Sequence, residues 1–108
     1  MDKRKISISF DGNEMKTKEQ LLSSMKEALS FPDYFGMNWD SLDEALKDLS
    51  WLDEVESIHI AFDNPKAILS SEAEKDHVIF TEIIDSTIEY WKTMEEGLDF
   101  SVEFPMGE

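Results

Sequence analysis

Three short segments in which apolar and polar residues alternate, with helical patterns between them, constrain the fold of this chain most. The segments are residues 6–10, 58–62 and 100–104, and such alternation is typical of a β-strand with one buried face. Strands that are joined through helices pair in parallel through right-handed crossovers. Because parallel strands covered on both faces are usually apolar throughout, the alternation predicts helices on one face only. We therefore expect a two-layer α/β fold with a three-stranded parallel sheet in the order 1-2-3, built as a single domain over residues 1–108.

Helical patterns occupy the segments between the predicted strands. Thr17 and Gln20 have the spacing of a capping box, and the helix that follows must end before Pro32. Asn38 predicts the N-cap of a second helix. Four apolar residues of that helix are predicted to face the core: Trp39, Leu42, Leu46 and Leu49.

The segment between the second and third strands is predicted to hold a short helix over residues 65–71 and a long one over 74–96. Gly97 suits the C-terminal cap of the long helix. The predicted apolar stripe of this helix consists of Phe80, Ile84, Ile88, Trp91 and Met94.

The absence of cysteine excludes disulfide scaffolds, thiolate zinc sites and cysteine nucleophiles. Serines interrupt the apolar residues near the N-terminus, which makes the segment a poor signal peptide. No stretch approaches the roughly 18 apolar residues of a membrane span. We therefore expect a soluble, cytoplasmic protein.

The charge of the chain is strongly acidic and unevenly distributed. Ten Lys and Arg against 25 Asp and Glu give a formal charge of −15, which disfavours binding to nucleic acid or to an anionic membrane surface. Residues 33–56 carry eight acidic side chains and one base, Lys47. This distribution suits a basic partner protein, although it also suits a merely solvated surface.

Asp40 and Glu44 form the sharpest local pattern in the acidic segment. They lie four residues apart on the predicted second helix and are therefore neighbours on its surface. The helix N-terminus relieves the repulsion for Asp40, but less so for Glu44, because the dipole effect fades after one turn. The pattern leaves two interpretations open, a solvated helix face and a binding surface.

Signals for catalysis are weak. His59 and His77 have no sequence neighbours that would make a catalytic dyad or a metal site, and a lone histidine on a strand is more often structural. The four glycines form no phosphate-binding loop. Carboxylate pairs can hold a divalent ion, but no segment has the spacing of a calcium loop. We therefore expect no enzyme activity, no metal and no cofactor.

The segment of residues 29–46 resembles the barstar family, whose members inhibit the ribonuclease barnase. The shared frame is a proline, an acid, two aromatics, Gly36, Asn38 and then Asp-x-Leu-x-acid-Ala-Leu. In this family the loop and the second helix enter the active site of the nuclease. The resemblance implies a one-to-one complex with a basic ribonuclease and a partner-binding surface made of Tyr34, Gly36, Asn38, Trp39, Asp40, Asp43, Glu44 and Glu96.

The resemblance also assigns roles to these residues. Asp40 and Glu44 would mimic RNA phosphates, Tyr34 and Asn38 would shape the loop, and Gly36, which can adopt positive φ, would let the backbone turn closely. Three departures from the family pattern put barnase itself in doubt as the target. The family's dominant anchor is an aspartate where Glu44 stands, Asp43 matches an aromatic, and Lys92 matches a carboxylate of the last helix.

Two other functions stay open. The first is an adaptor of the same fold whose acidic surface meets a basic protein that is not a nuclease. The second is an enzyme with a carboxylate-bound metal, for which a stoichiometric ion in the purified protein would be required.

Overall fold

The computed structural model describes residues 3–94 and 97–104. Its strands and helices follow the chain as β1 (Arg4–Asp11), α1 (Lys18–Ala28), α2 (Trp39–Leu46), β2 (Val55–Asp63), α3 (Glu74–Thr93) and β3 (Asp99–Glu103). Two short 3-10 turns, Gly12–Glu14 and Pro65–Ala67, follow β1 and β2. The predicted helix over 65–71 is therefore limited to a single 3-10 turn.

The sheet is parallel throughout and has the strand order β1-β2-β3, which confirms the predicted fold class. Ile6, Ile58 and Phe100 lie in register across the three strands. On the central strand, Ile58, Ile60 and Phe62 are buried, whereas the intervening residues are only half-buried. The alternation in the sequence thus distinguishes a face packed against the helices from a polar face that meets water.

Local capping fixes the start of α1. The Thr17 hydroxyl accepts a hydrogen bond from the backbone N–H of Gln20 (3.1 Å), and the Gln20 side chain accepts one from the N–H of Thr17 (3.2 Å). Both bonds of the predicted capping box are therefore present. The helix buries Leu21, Leu22 and Met25, which secures α1 against the sheet.

Helix α2 is shorter than the apolar spacing suggests. It ends at Leu46, and Leu49 has left-handed backbone with φ of 53°. Leu49 is nevertheless 3% exposed, because a turn through Lys47 and Asp48 directs it back into the core. The helical spacing therefore predicted the burial of Leu49 correctly but placed it in the wrong secondary structure.

Helix α3 packs four of the five predicted stripe residues against the core, all but Met94, and also buries Ile83 and Thr87. Its buried residues are Phe80, Ile83, Ile84 and Thr87, whereas Ile88 and Trp91 are only partly buried. Met94 is 45% exposed and extended, so the helix ends at Thr93 rather than at Glu96. Gly97 follows the helix, where its N–H donates to the carbonyl of Met94 (3.1 Å).

Tryptophan hydrogen bonds tie the helices to the rest of the molecule. The indole N–H of Trp91 donates to the carbonyl of Leu46 (2.8 Å), and that of Trp51 donates to the carbonyl of Leu29 (3.0 Å). These bonds satisfy carbonyls at the ends of α2 and α1. No helix in the described part of the chain has both the length and the apolar composition needed to cross a bilayer.

Candidate protein-binding site

Buried aromatic side chains anchor the loop between α1 and α2 (residues 29–38) to the core. Phe31 and Phe35 are 6% and 7% exposed, with ring centroids 4.7 Å apart. The ring of Trp51 meets Phe31 edge-on at 5.7 Å. The N–H of Phe35 donates to the carbonyl of Pro32 (3.0 Å). This packing gives the loop a fixed base, which restrains the backbone that carries the exposed side chains.

Tyr34 and Met37 form the outer side of the loop. Tyr34 is 77% exposed and Met37 is 36% exposed. Positive φ occurs at Met37 (43°) and not at Gly36, which corrects the expected role of the glycine. A Cβ at Gly36 would lie 2.8 Å from the Ser41 Oγ and 3.1 Å from the Asn38 Nδ2, so a side chain there would displace the Ser41 hydroxyl or the Asn38 amide.

Asn38 joins the loop to the start of α2. Its Oδ1 accepts a hydrogen bond from the backbone N–H of Ser41 (2.8 Å) and its Nδ2 donates one to the carbonyl of Gly36 (2.8 Å). The predicted N-cap is thus present. Because both the oxygen and the nitrogen of the Asn38 amide are hydrogen-bonded, this side chain fixes the position of the loop relative to the start of α2.

Asp40 and Glu44 project from the exposed side of α2. Both are exposed, and Asp40 lies in the first helical turn, where the helix dipole stabilises a carboxylate. Within residues 3–94 and 97–104, neither carboxylate takes part in a salt bridge or a side-chain hydrogen bond. Their charges are available to a partner.

Asp43, in contrast, is engaged within the molecule. The Nζ of Lys47 pairs with its carboxylate and also donates to the Ser86 hydroxyl (2.8 Å) on α3. Lys47 is the one base among residues 33–56, and its charge is directed at Asp43. The pairing leaves the charges of Asp40 and Glu44 uncompensated and fastens α2 to α3.

Trp39 also faces inward. Its indole N–H donates to the Asp76 carboxylate (3.0 Å), and its ring lies 6.2 Å from the ring of Phe80. The Nζ of Lys18 lies 5.3 Å from the same ring, within the range of a cation–π contact. Trp39 therefore links the start of α2 to α1 and α3.

A small cavity of about 90 Å³ lies between the loop and α2. Tyr34, Ser41, Glu44, Asp48 and Trp51 contribute to its lining. Asp48 follows Glu44 by four residues, although the resemblance did not assign it to the partner-binding surface. The i,i+4 spacing of the two acids was the signal that could have identified it.

The predicted contribution of Glu96 lies outside the described residues. Lys92, which matches a family carboxylate, is exposed on the last turn of α3.

The polar face of the sheet carries a contact that the sequence spacing did not suggest. His59 on β2 is hydrogen-bonded through Nδ1 to the Ser101 hydroxyl and through Nε2 to the Glu103 carboxylate on β3, both at 2.8 Å. These partners lie more than 40 residues away in sequence, and the parallel register brings them together. No group of three or more His, Cys, Asp or Glu side chains among the described residues could hold a metal ion.

Comparison with known families identifies a match over most of the chain. A family model described as Barstar (barnase inhibitor) matches residues 6–105, which is nearly the whole chain. No curated protein matches the chain. The matched range includes the loop, α2, β2, β3 and all of β1 except its first two residues.

Proposed function

The chain belongs to the Barstar family, and we propose that it inhibits a basic ribonuclease by filling the RNA-binding cleft of the enzyme. The surface that enters the cleft is the α2 contact surface, which consists of Tyr34, Gly36, Asn38, Trp39, Asp40, Asp43 and Glu44 together with Glu96, which lies outside the described residues. The observation that carries the proposal is the pair of exposed carboxylates, Asp40 and Glu44, without internal ionic partners among the described residues.

Charge supports this assignment. A ribonuclease cleft binds phosphates through cationic side chains, and carboxylates at a suitable spacing can take the place of those phosphates. Asp40 and Glu44 lie one helical turn apart, about 5–6 Å between Cβ atoms. The formal charge of −15 adds long-range attraction toward a basic enzyme.

The rigidity of the surface supports it further. Binding is weakened by the free energy needed to order flexible groups, so a pre-ordered loop binds more tightly than a mobile one. The Asn38 amide, the Phe31–Phe35 pair beneath the loop and the Trp39–Asp76 bond all restrain the surface. In this proposal Trp39 and Asp43 act mainly as supports, because their polar atoms are engaged inside the molecule.

Tyr34 supplies the apolar part of the contact. A side chain that is 77% exposed can bury a large aromatic area against a partner, and tyrosine is enriched among the residues that contribute most to protein interfaces. Inhibition would then follow from exclusion of RNA. The inhibitor itself performs no chemical step and needs no metal or cofactor.

The departures from the family pattern bear on the target. Glu44 reaches one methylene further than an aspartate, Asp43 replaces an aromatic and is paired with Lys47, and Lys92 replaces a carboxylate. These changes alter the depth and the charge pattern of the surface. We propose a nuclease toxin other than barnase as the physiological partner.

Ribonuclease inhibition by the purified chain tests the proposal. A panel of basic microbial ribonucleases, barnase included, is assayed for RNA cleavage at increasing inhibitor concentration, and co-expression is scored for rescue of growth. We expect at least one enzyme to lose activity at one equivalent of inhibitor. If every enzyme stays active and affinity capture recovers a basic partner without nuclease activity, the adaptor function is correct instead.

A further inference from the structure

A cavity of about 370 Å³ opens beyond the ends of β2 and β3. It lies between the Pro65–Ala67 turn and the first turns of α3, and Pro65, Ile68, Phe80 and Phe104 provide its apolar walls. Its volume is within the range of small-molecule sites. None of the residues that line this strand-end cavity belongs to the α2 contact surface.

Aromatic packing forms the floor of the strand-end cavity. The buried ring of Phe62 lies 5.7 Å from the ring of Phe80, edge-on, and 5.3 Å from the ring of Phe104, stacked. Phe104 is 41% exposed despite this stacking. An apolar, planar group in the cavity would therefore cover aromatic surface that now meets water.

The lining of the cavity includes a cationic side chain, Lys66, in a molecule that is mostly acidic. Lys66 and His77 both line the opening, together with Thr81. Within the described residues, neither the Lys66 nor the His77 side chain takes part in a salt bridge or a hydrogen bond. The ammonium group of Lys66 has no acidic partner among the described residues, and a cation beside an apolar cavity favours an anionic ligand.

The segment of residues 64–69, which carries Lys66 and forms one wall of the cavity, is anchored at both ends. Asn64 has φ of 51° and donates from its Nδ2 to the Asp11 carboxylate (3.0 Å), and Leu69 has φ of 59° and donates from its N–H to the Met15 carbonyl (2.8 Å). Proline at position 65 restricts the backbone between them. The wall is thus formed before any ligand arrives, which reduces the free-energy cost of binding.

We propose that the strand-end cavity binds a small amphipathic anion, with an aromatic body against Phe80 and Phe104 and a carboxylate or sulfonate group at Lys66. This proposal does not depend on ribonuclease inhibition, since the two surfaces share no residue. Charge complementarity at the rim selects the anionic head, and the aromatic floor selects the planar body.

Fluorescent probes of matched shape test the proposal. 8-Anilinonaphthalene-1-sulfonate has an aromatic body and an anionic head, and N-phenyl-1-naphthylamine has a similar body without the charge. We expect saturable one-to-one binding of the sulfonate to the folded chain, with amide chemical-shift changes centred on Ile68 and Thr81. Near-ultraviolet circular dichroism verifies that each variant is folded.

Lys66→Glu is expected to weaken sulfonate binding by about tenfold or more, since a favourable charged contact is replaced by repulsion. Binding of the neutral probe should stay the same in this variant. Lys92→Glu is the matched control, because it makes the same charge change near the other end of α3, outside the cavity. It should leave the binding of both probes unaffected.

Three results would overturn the proposal. The first is the absence of saturable sulfonate binding by the folded chain. The second is an equal loss in Lys66→Glu and Lys92→Glu. The third is binding that appears only after residues 105–108 are deleted, which would assign the cavity to the chain's own following segment. Asp40→Ala should leave probe binding intact, which separates this site from the ribonuclease interface.

Discussion

Replacement of Asn38 tests whether one side chain both caps α2 and fixes the loop beside it. Its amide makes two hydrogen bonds of 2.8 Å, one from the Ser41 N–H and one to the Gly36 carbonyl. Asn38→Ala removes both bonds. Asn38→Asp keeps the acceptor for the helix N-terminus but removes the donor to the loop.

The magnitude follows from the exposure of the site. Loss of an N-cap typically costs about 1 kcal/mol, and loss of an exposed hydrogen bond, whose partner can bind water, costs about 0.5 kcal/mol. Asn38→Ala should therefore lower the free energy of unfolding by about 1.5 kcal/mol. Asn38→Asp should lower it by only about 0.5 kcal/mol, because aspartate caps as well as asparagine does.

Urea denaturation followed by circular dichroism measures both changes. Thr17→Ala is the matched control, because it removes the cap of α1 and leaves both Asn38 hydrogen bonds and the two α2 carboxylates in place. It should reduce stability to a similar extent without affecting ribonuclease inhibition, whereas Asn38→Ala should also weaken inhibition. Equal stabilities for wild type and Asn38→Ala, or equal losses for the Ala and Asp variants, would refute the double role.

Three further predictions concern the core, the response to acid and the response to salt. Thr87 is fully buried, and its hydroxyl has no hydrogen-bond partner among the described residues. Because valine has a similar shape without the hydroxyl, Thr87→Val should raise the free energy of unfolding, measured by urea denaturation, by about 1 kcal/mol. A destabilised variant would contradict this prediction. Hydrogen bonds from the Asn13 backbone N–H and the Asn64 side chain lower the pKa of Asp11. Its ionised form therefore stabilises the fold above the unfolded-state pKa of about 3.9, and this contribution is lost as pH falls through the lower folded-state pKa. Denaturation between about pH 5 and pH 2 should show a smaller loss for Asp11→Asn than for wild type, and equal losses would contradict the assignment. Finally, the association rate with an inhibited ribonuclease, measured by stopped flow, should fall steeply as salt is raised from about 0.05 to 0.5 M; a rate independent of salt would exclude electrostatic steering.

The elements that could be predicted from the sequence are those decided by local chemistry. The three strands, the capping box at Thr17 and the N-cap at Asn38 all depend on residues within a few positions of one another, and the parallel 1-2-3 order follows from the helices between the strands. The exposed polar face of the sheet was likewise implied by alternation.

The structure differs from the prediction where contacts between residues distant in sequence determine which side chains are buried. Leu49 is buried outside a helix because the turn after α2 returns it to the core. On α3, Ile83 and Thr87 are buried in addition to the predicted Phe80 and Ile84, whereas Met94 is exposed. Helical spacing alone cannot distinguish neighbouring faces of a helix whose residues are apolar on more than one side.

The same limit applies to the candidate site. The loop and the two carboxylates are adjacent in sequence and could be identified from it. The engagement of Asp43 depends on Lys47 and on Ser86, and that of Trp39 depends on Asp76, 37 residues further on. The i,i+4 spacing of Asp43 and Lys47 was a sequence signal for that ion pair, and helical spacing directed Trp39 toward the core. Nothing in the spacing indicated the bonds to Ser86 and Asp76.

The most direct test of the proposed inhibition is the dissociation constant for a ribonuclease that the wild-type chain inhibits. Asp40→Ala and Glu44→Ala should each weaken binding by about 2 kcal/mol or more, which is roughly 30-fold. Glu14→Ala, an equal loss of charge at an exposed position of the turn after β1, should change affinity by less than about threefold, the range expected for a charge outside the interface. If both α2 variants also stay within about threefold of wild type, carboxylates on α2 do not mimic RNA phosphates.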